Sequence, residues 1–352
     1  MRLIKPAITL FLKTSTGCNA GCKSCPAGRK ETKERELSGK MTIDMFTRIL
    51  DRIQPQANIV SVVLHYYNEP TLNHENISQM VALARKRNIP TLMSTNGSYP
   101  DKLKSILDAG LDNLIFSLSG WTNEIHQRSH KHVDVEIVKE NMRMTASYKQ
   151  DRTFVRVGWH DYTYNRHEQA QMRAFTESLG FTFTPYATSL LDVQRAHEQL
   201  LRVRNGSPFD DPAEEDLLFK MREADHLVRE RSHFRCIYQD TMILVDGTGH
   251  LWNCPAKVQE HNKRENLFDV CLIEWMKKRR TTEEDCIKCK KDGMHVYAMQ
   301  QWKRPLTLGA TLFRKGEDLY RNLGLGGLFP AITRVYVNAL YKRPTDNVPP
   351  VD

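Results

Sequence analysis

Cys18, Cys22 and Cys25 stand in a C-x3-C-x2-C pattern near the start of the chain. Three thiolates can ligate three irons of a four-iron cluster and leave the fourth iron open to an outside ligand. The logic is that of catalytic zinc sites, which keep a position free where structural sites are closed. The spacing alone also suits a zinc site lacking its fourth ligand, or three unrelated buried thiols. A second group lies some two hundred residues on. Cys236 and Cys254 are separated by 17 residues, and a Cys286-x-x-Cys289 pair comes after a further 31. Four thiolates make a closed set, suited either to structural zinc or to a cluster with no open iron. Cys271 stands apart, in an apolar stretch over 266–275. A small core residue is the default reading for it, and a catalytic hydrogen donor is the sharper alternative.

These cysteines must be positioned by the elements around them. Short β-branched runs alternate with amphipathic stretches up to about residue 190, the signature of βαβ units and a parallel sheet. The pattern predicts strands over 8–12, 59–64, 91–94, 113–119, 154–159 and 181–184. Helices are predicted over 42–53, with Thr42 as N-cap, and over 76–87, 101–109, 135–148 and 165–179. Gly110 is a C-cap for the third of them. Six repeats are too few for a closed eight-fold barrel, so an open, partial (β/α)6 barrel is expected over 1–190. Residues 191–234 read as a charged helical linker or lid, with Asp211 and Pro212 placed to start a helix. A hairpin over 241–252, turning at Asp246-Gly247, opens a small α+β region over 235–300 that would carry the second cysteine group. The segment 301–352 reads as a helical tail with a Gly-rich break at 324–327.

Composition narrows the class. The chain has 352 residues, of which 40% are hydrophobic, and no run of about 18 apolar residues that would span a membrane. No signal-type apolar core comes after the first residues, so a cytoplasmic protein is expected. Eight cysteines in that compartment point to metal or redox chemistry rather than disulfides. The net charge of +9 is spread along the chain and reads as a solvated basic surface. A phosphorylated or nucleotide-linked substrate is the sharper reading of it, and no nucleic-acid partner is expected. His126, His130 and His132 read as surface polar residues on a helix and its end.

The cysteine pattern and the motifs downstream of it resemble the radical S-adenosylmethionine (SAM) superfamily, whose defining motif is this C-x3-C-x2-C after the first strand of a partial (β/α)6 barrel. Asn68-Glu69-Pro70, after the second strand, is similar to the family's Gly-Glu-Pro motif, whose backbone receives the SAM amino group. Ser94 and Asn96, ending the third strand, and Ser117 and Ser119, ending the fourth, match positions that bind the SAM ribose and carboxylate. Arg128 matches an arginine directed at the methionyl carboxylate. All lie at strand C-termini, where open α/β sheets bind ligands. Two positions depart from the pattern. Asn68 replaces glycine, so its side chain must be accommodated beside SAM, and Ser24 replaces an aromatic residue near the adenine.

Behind such a domain, Cys236, Cys254, Cys286 and Cys289 resemble the auxiliary-cluster regions called SPASM and Twitch, in the shorter single-cluster form. The resemblance implies two [4Fe-4S] clusters, SAM, and an external one-electron donor such as flavodoxin or ferredoxin. The expected activity is an oxidoreductase that cleaves SAM to a 5′-deoxyadenosyl radical and dehydrogenates a sugar- or aminocyclitol-like small molecule, with the auxiliary cluster as electron acceptor. The few residues before Cys18 leave no room for the precursor-binding module of peptide-modifying relatives, which favours a small substrate. The alternatives are a radical epimerase with Cys271 as hydrogen donor, a peptide maturase, and a non-catalytic iron–sulfur or zinc protein.

Overall fold

The computed structural model describes residues 5–28, 39–208, 214–218, 220–234, 236–257, 264–281 and 284–298. Residues Lys5–Lys303 form one compact unit. Six β/α repeats build its core, and every predicted strand is present within two or three residues of its expected bounds. They are β1 (Ala7–Leu12), β2 (Asn58–Val63), β3 (Thr91–Thr95), β4 (Asn113–Leu118), β5 (Phe154–Asp161) and β6 (Thr182–Ala187). All pair in parallel with their sequence neighbours. Between them run α1 (Ile43–Ile53), α2 (His74–Lys86), α3 (Pro100–Asp108), α4 (Asn123–Ser129), α5 (Val135–Tyr148) and α6 (Gln169–Ser178).

Local chemistry explains the ends of these elements. The Thr42 hydroxyl accepts the Met45 N–H at 3.1 Å, capping α1. Gly110 closes α3 at φ +96, a left-handed conformation that costs a residue without Cβ little. Its pocket is also tight, because an added Cβ would lie 2.7 Å from the Arg85 guanidinium. Alternate residues of each strand pack under the helices: Ile8, Leu10 and Leu12 of β1, Leu114, Phe116 and Leu118 of β4, and Val155, Val157 and Trp159 of β5 join one apolar core. The intervening residues line the opposite, concave side of the sheet.

The second half of the chain continues the sheet of the first. After α7 (Val193–Arg204), α8 (Met221–Glu230) and a short α9 (Ile237–Thr241), the predicted hairpin forms as β7 (Met242–Val245) and β8 (His250–Trp252), with β9 (Arg264–Asn266) after it. β7 pairs in parallel with β1, with Thr9 opposite Met242 and Leu12 opposite Val245. The hairpin therefore extends the barrel sheet, whose order is β6-β5-β4-β3-β2-β1-β7-β8-β9. Helices α10 (Leu272–Thr281), α11 (Glu284–Lys291) and α12 (Met294–Ala298) complete the unit. The proposed cap at Asp211-Pro212 and the tail over 301–352 lie outside the described residues. Among the described residues, no helix is long and apolar enough to cross a membrane.

Candidate functional site

The first cysteine group sits in the loop leaving β1. That loop is tied to the end of β2: the Thr14 hydroxyl donates to the Leu64 carbonyl at 2.9 Å, and Ser15 donates to the Glu69 carbonyl at 3.0 Å. The Cys25 N–H donates to the Cys22 carbonyl, and the Gly28 N–H to that of Cys25. Gly28 has to be glycine, since a Cβ there would stand 2.4 Å from the Cys22 backbone. Burial first, and then the Glu69 carboxylate, pushes the Cys18 thiol up to about 12. Cys22 is raised by burial and by its neighbours Cys25 and Cys18. The three thiols thus share one pocket, poorly hydrated and mutually repelling once ionised. Such a set ionises together only when a cation binds it.

The strand-end residues surround this pocket. Glu69 is buried, and its carboxylate accepts the Thr71 N–H, the hydroxyls of Thr71 and Thr95, and the Asn96 N–H at 2.8 Å. Pro70 opens a 3-10 turn over Pro70–Asn73. The Asn96 side chain donates to Asn19 at 2.8 Å and to Cys18 Sγ at 3.7 Å, so the β3 loop touches the cysteine loop directly. The Ser94 and Ser117 hydroxyls lie 2.9 Å apart on the concave face. Asn68 answers the question raised by its missing glycine. Its side chain turns back to donate to Thr14 and Ser15, at 3.1 and 2.9 Å, and accepts the Tyr66 N–H.

Two residues are engaged within the protein. The Ser119 hydroxyl is fully buried, 2.8 Å from His130 Nδ1. Arg128 lies over the Tyr164 ring and pairs with Asp216 at 3.1 Å, and Asp216 also reaches Lys23 of the cysteine loop at 3.4 Å. The segment 214–218, which the sequence placed in a linker or lid, is bridged to Tyr162 through Leu217. Tyr162 itself is buried, with its hydroxyl bonded to Ser129 at 2.8 Å and to Ser24.

His126 and His130 are buried, not on the surface, and their rings stack at 4.7 Å. α4 folds back over Gly120, where a Cβ would meet the His126 backbone at 2.3 Å, and so turns both rings inward. His132 is exposed, as expected.

The second cysteine group is assembled from three segments. Cys236 precedes α9, Cys254 lies just after β8, and Cys286 and Cys289 lie on α11. Burial pushes Cys254 up to about 12, with Cys236 and Cys286 adding to it. Cys289 is raised by burial and then by Cys254, Cys236 and Cys286. The four thiols are thus within electrostatic reach of one another, and none of the chain's eight cysteines is in a disulfide. Arg279, almost fully buried, holds this scaffold by donating to the carbonyls of Tyr238, Gln239, Met242 and Asn253.

Cys271 is exposed rather than a core residue, and its thiol faces Gln56 at 3.6 Å, just before β2 begins. It sits at the N-terminal rim of the sheet, a strand's length of about 20 Å from the cysteine loop. Among the described residues, no three His, Cys, Asp or Glu side chains converge tightly enough for a single metal ion. Cysteines of a four-iron cluster sit on separate irons and need not converge as the ligands of one ion do.

Residues 12–171, a little under half of the chain, match the family described as the Radical SAM superfamily. The chain is also 28% identical, over 130 residues, to the dual-specificity RNA methyltransferase RlmN of Bdellovibrio bacteriovorus. That match covers 34% of this chain and 31% of the relative, so the chain spans about a third of that protein's length. The fold is similar to SuiB of Streptococcus suis bound to S-adenosylmethionine, with a TM-score of 0.54 and 14% identity over 83% of this chain and 72% of SuiB. It is also similar to anSMEcpe with bound AdoMet, with a TM-score of 0.50 and 17% identity over 82% of this chain and 88% of that one. A radical SAM domain implies a four-iron cluster and SAM. The thiols of Cys18, Cys22 and Cys25, grouped at the strand C-termini beside Glu69 and Asn96, fit that pair.

Proposed function

We propose that the protein is a radical SAM oxidoreductase that dehydrogenates a carbohydrate- or aminocyclitol-like alcohol. The observation that carries the reading is the pairing of an open three-thiol group with a second group of four neighbouring thiols. The chemistry supplied when clusters and SAM are bound is one-electron cleavage of SAM, hydrogen-atom removal from an unactivated C–H bond, and acceptance of the electron left on the substrate. This chain's own residues supply binding, orientation and exclusion of water. Cys18, Cys22 and Cys25 would hold the first cluster. Asn68, Glu69 and Pro70 would present backbone groups to the SAM amino group, with Ser94, Asn96 and Ser117 serving its ribose and carboxylate, whereas Ser119, bonded to His130, and Arg128, paired with Asp216, are already engaged within the protein. Cys236, Cys254, Cys286 and Cys289 would close every position of the auxiliary cluster, which suits electron transfer better than substrate ligation. A small external one-electron donor, flavodoxin or ferredoxin in kind, completes the cycle.

The test is anaerobic reconstitution and then single turnover. About eight irons per chain are expected, falling to about four when Cys18, Cys22 and Cys25 are replaced by alanine. Each turnover should consume one SAM and yield 5′-deoxyadenosine and a product two hydrogens lighter. Stoichiometric zinc at the second group in active enzyme would remove the auxiliary cluster. A product of unchanged mass that gains deuterium at carbon from heavy water would replace dehydrogenation by epimerisation.

A further inference from the structure

Cys286 and Cys289 stand three apart on α11, so both thiols project from one side of the helix. That side faces inward. Both cysteines are half-buried, Cys289 packs against the apolar cluster that includes Leu200, Met221 and Val228, and Cys236 and Cys254 lie within electrostatic reach of it. By the same period Ile287, Lys288 and Lys291 fall on the opposite side, and all three are exposed. Glu284 shares that outer side, while Asp285, at its flank, pairs with Lys257. Among the described residues two large apolar side chains are exposed, and Ile287 is the more exposed of them at 54%.

The surroundings of Ile287 are basic. Residues 272–291 hold seven lysines and arginines against four acids, a net +3 out of the chain's +9. A third of the net charge is thus concentrated beside two cysteines of the second group. Arg279 is internal, but Lys277, Lys278, Lys288 and Lys291 are exposed. An apolar residue held out in water among lysines adds nothing to the core. It has the composition of an interface centre with a charged rim, which steers a partner of opposite sign. The helix is about 10 Å thick, so a protein seated on Ile287 would be separated from the second thiol group by little more than that.

We infer that the outer face of α11, Ile287 with Lys288 and Lys291, is the docking surface of an acidic one-electron carrier protein of the flavodoxin kind. The inference rests on the reading of Cys236, Cys254, Cys286 and Cys289 as the ligands of a cluster, and adds the place where the electron leaves. In that reading the carrier gains the one electron that the substrate radical loses. Its flavin semiquinone becomes the hydroquinone, which restores the carrier as a donor.

The test is calorimetric titration of the reconstituted full chain with an oxidised, acidic flavodoxin. Binding at about 20 mM salt should weaken about tenfold or more at about 200 mM. Lys288→Glu combined with Lys291→Glu should weaken it about tenfold or more at the lower salt, and Ile287→Ala about threefold or more at both. Lys86→Glu, on an exposed lysine of α2, controls for net charge and should change binding less than twofold. Iron content and dithionite-driven SAM cleavage should be the same in all of these variants. A chain with about eight irons that binds no flavodoxin, or binds it equally well with both lysines reversed, overturns this inference alone. So does a loss from Lys86→Glu as large as that from the α11 lysines, which would reduce the attraction to net charge. A wild-type chain that holds only about four irons loses the auxiliary cluster beneath the inference as well.

Discussion

The Glu69 carboxylate accepts the Asn96 backbone N–H at 2.8 Å, and so locks the loop after β2 to the loop after β3. The same carboxylate takes the hydroxyls of Thr71 and Thr95 on its other oxygen. Asn96 then reaches Cys18 and Asn19 in the cysteine loop. One buried side chain thereby sets the relative height of three loops around the first cysteine group. Glu69→Gln would turn an amide NH2 toward at least one of these donors, leaving a buried group unsatisfied at a cost of about 1–3 kcal/mol. Denaturant unfolding of the variant should show that loss, and SAM should bind more weakly. Unchanged stability and SAM binding would mean that the loops hold their positions without the carboxylate.

Cys254 and Cys271 should behave oppositely. Cys254→Ala removes a buried member of the second group and should lower bound iron by about half, with a loss of solubility, because ligation contributes folding energy. Cys271→Ala alters an exposed thiol at the other rim and should leave iron content unchanged. Iron and sulfide analysis of the two variants decides it, and loss of iron from Cys271→Ala would redraw the ligand set.

Arg279 is nearly fully buried and gives donors to four carbonyls around α9, β7 and β8 while lying 4.6 Å over the Trp275 ring. Arg279→Lys keeps the charge but not the planar fork, so several of these carbonyls lose their partner. Destabilisation of about 3 kcal/mol or more is expected in denaturant unfolding. A loss below about 1 kcal/mol would show that a lysine serves the site as well.

Acid should unfold the protein partly through the histidines under α4. Burial holds His130 at about 4 and His126 below its ordinary value, against about 6.5 in the unfolded chain. Between those values the unfolded state binds more protons than the folded one, so stability is full above about pH 6.5 and falls as pH drops toward 4. The His130 contribution is about 3 kcal/mol over that interval. Denaturation midpoints of wild type and His130→Asn, measured across it, should converge at low pH. Parallel curves would show that His130 does not carry the acid sensitivity.

The strand and helix order of the core and its first cysteine group are readable from sequence because they are local. Strand alternation, the Thr42 cap, the Gly110 stop and C-x3-C-x2-C each lie within a dozen residues, where backbone preference and side-chain spacing act directly. Sequence order also carried Glu69, Ser94, Asn96 and Ser117 to the strand ends, since every parallel repeat delivers its C-terminus to one rim. What only the tertiary structure decided depends on contacts between distant segments. The pairing of β7 with β1 joins residues more than two hundred apart, and nothing in either strand names the other. The Asn68 side chain finds Thr14 and Ser15 only once β1 and β2 are adjacent. His126 and His130 read as polar surface until α4 folds over Gly120. Cys271 shares its chemistry with its seven counterparts, and its position beside Gln56, at the rim away from the cysteine loop, is what sets it apart.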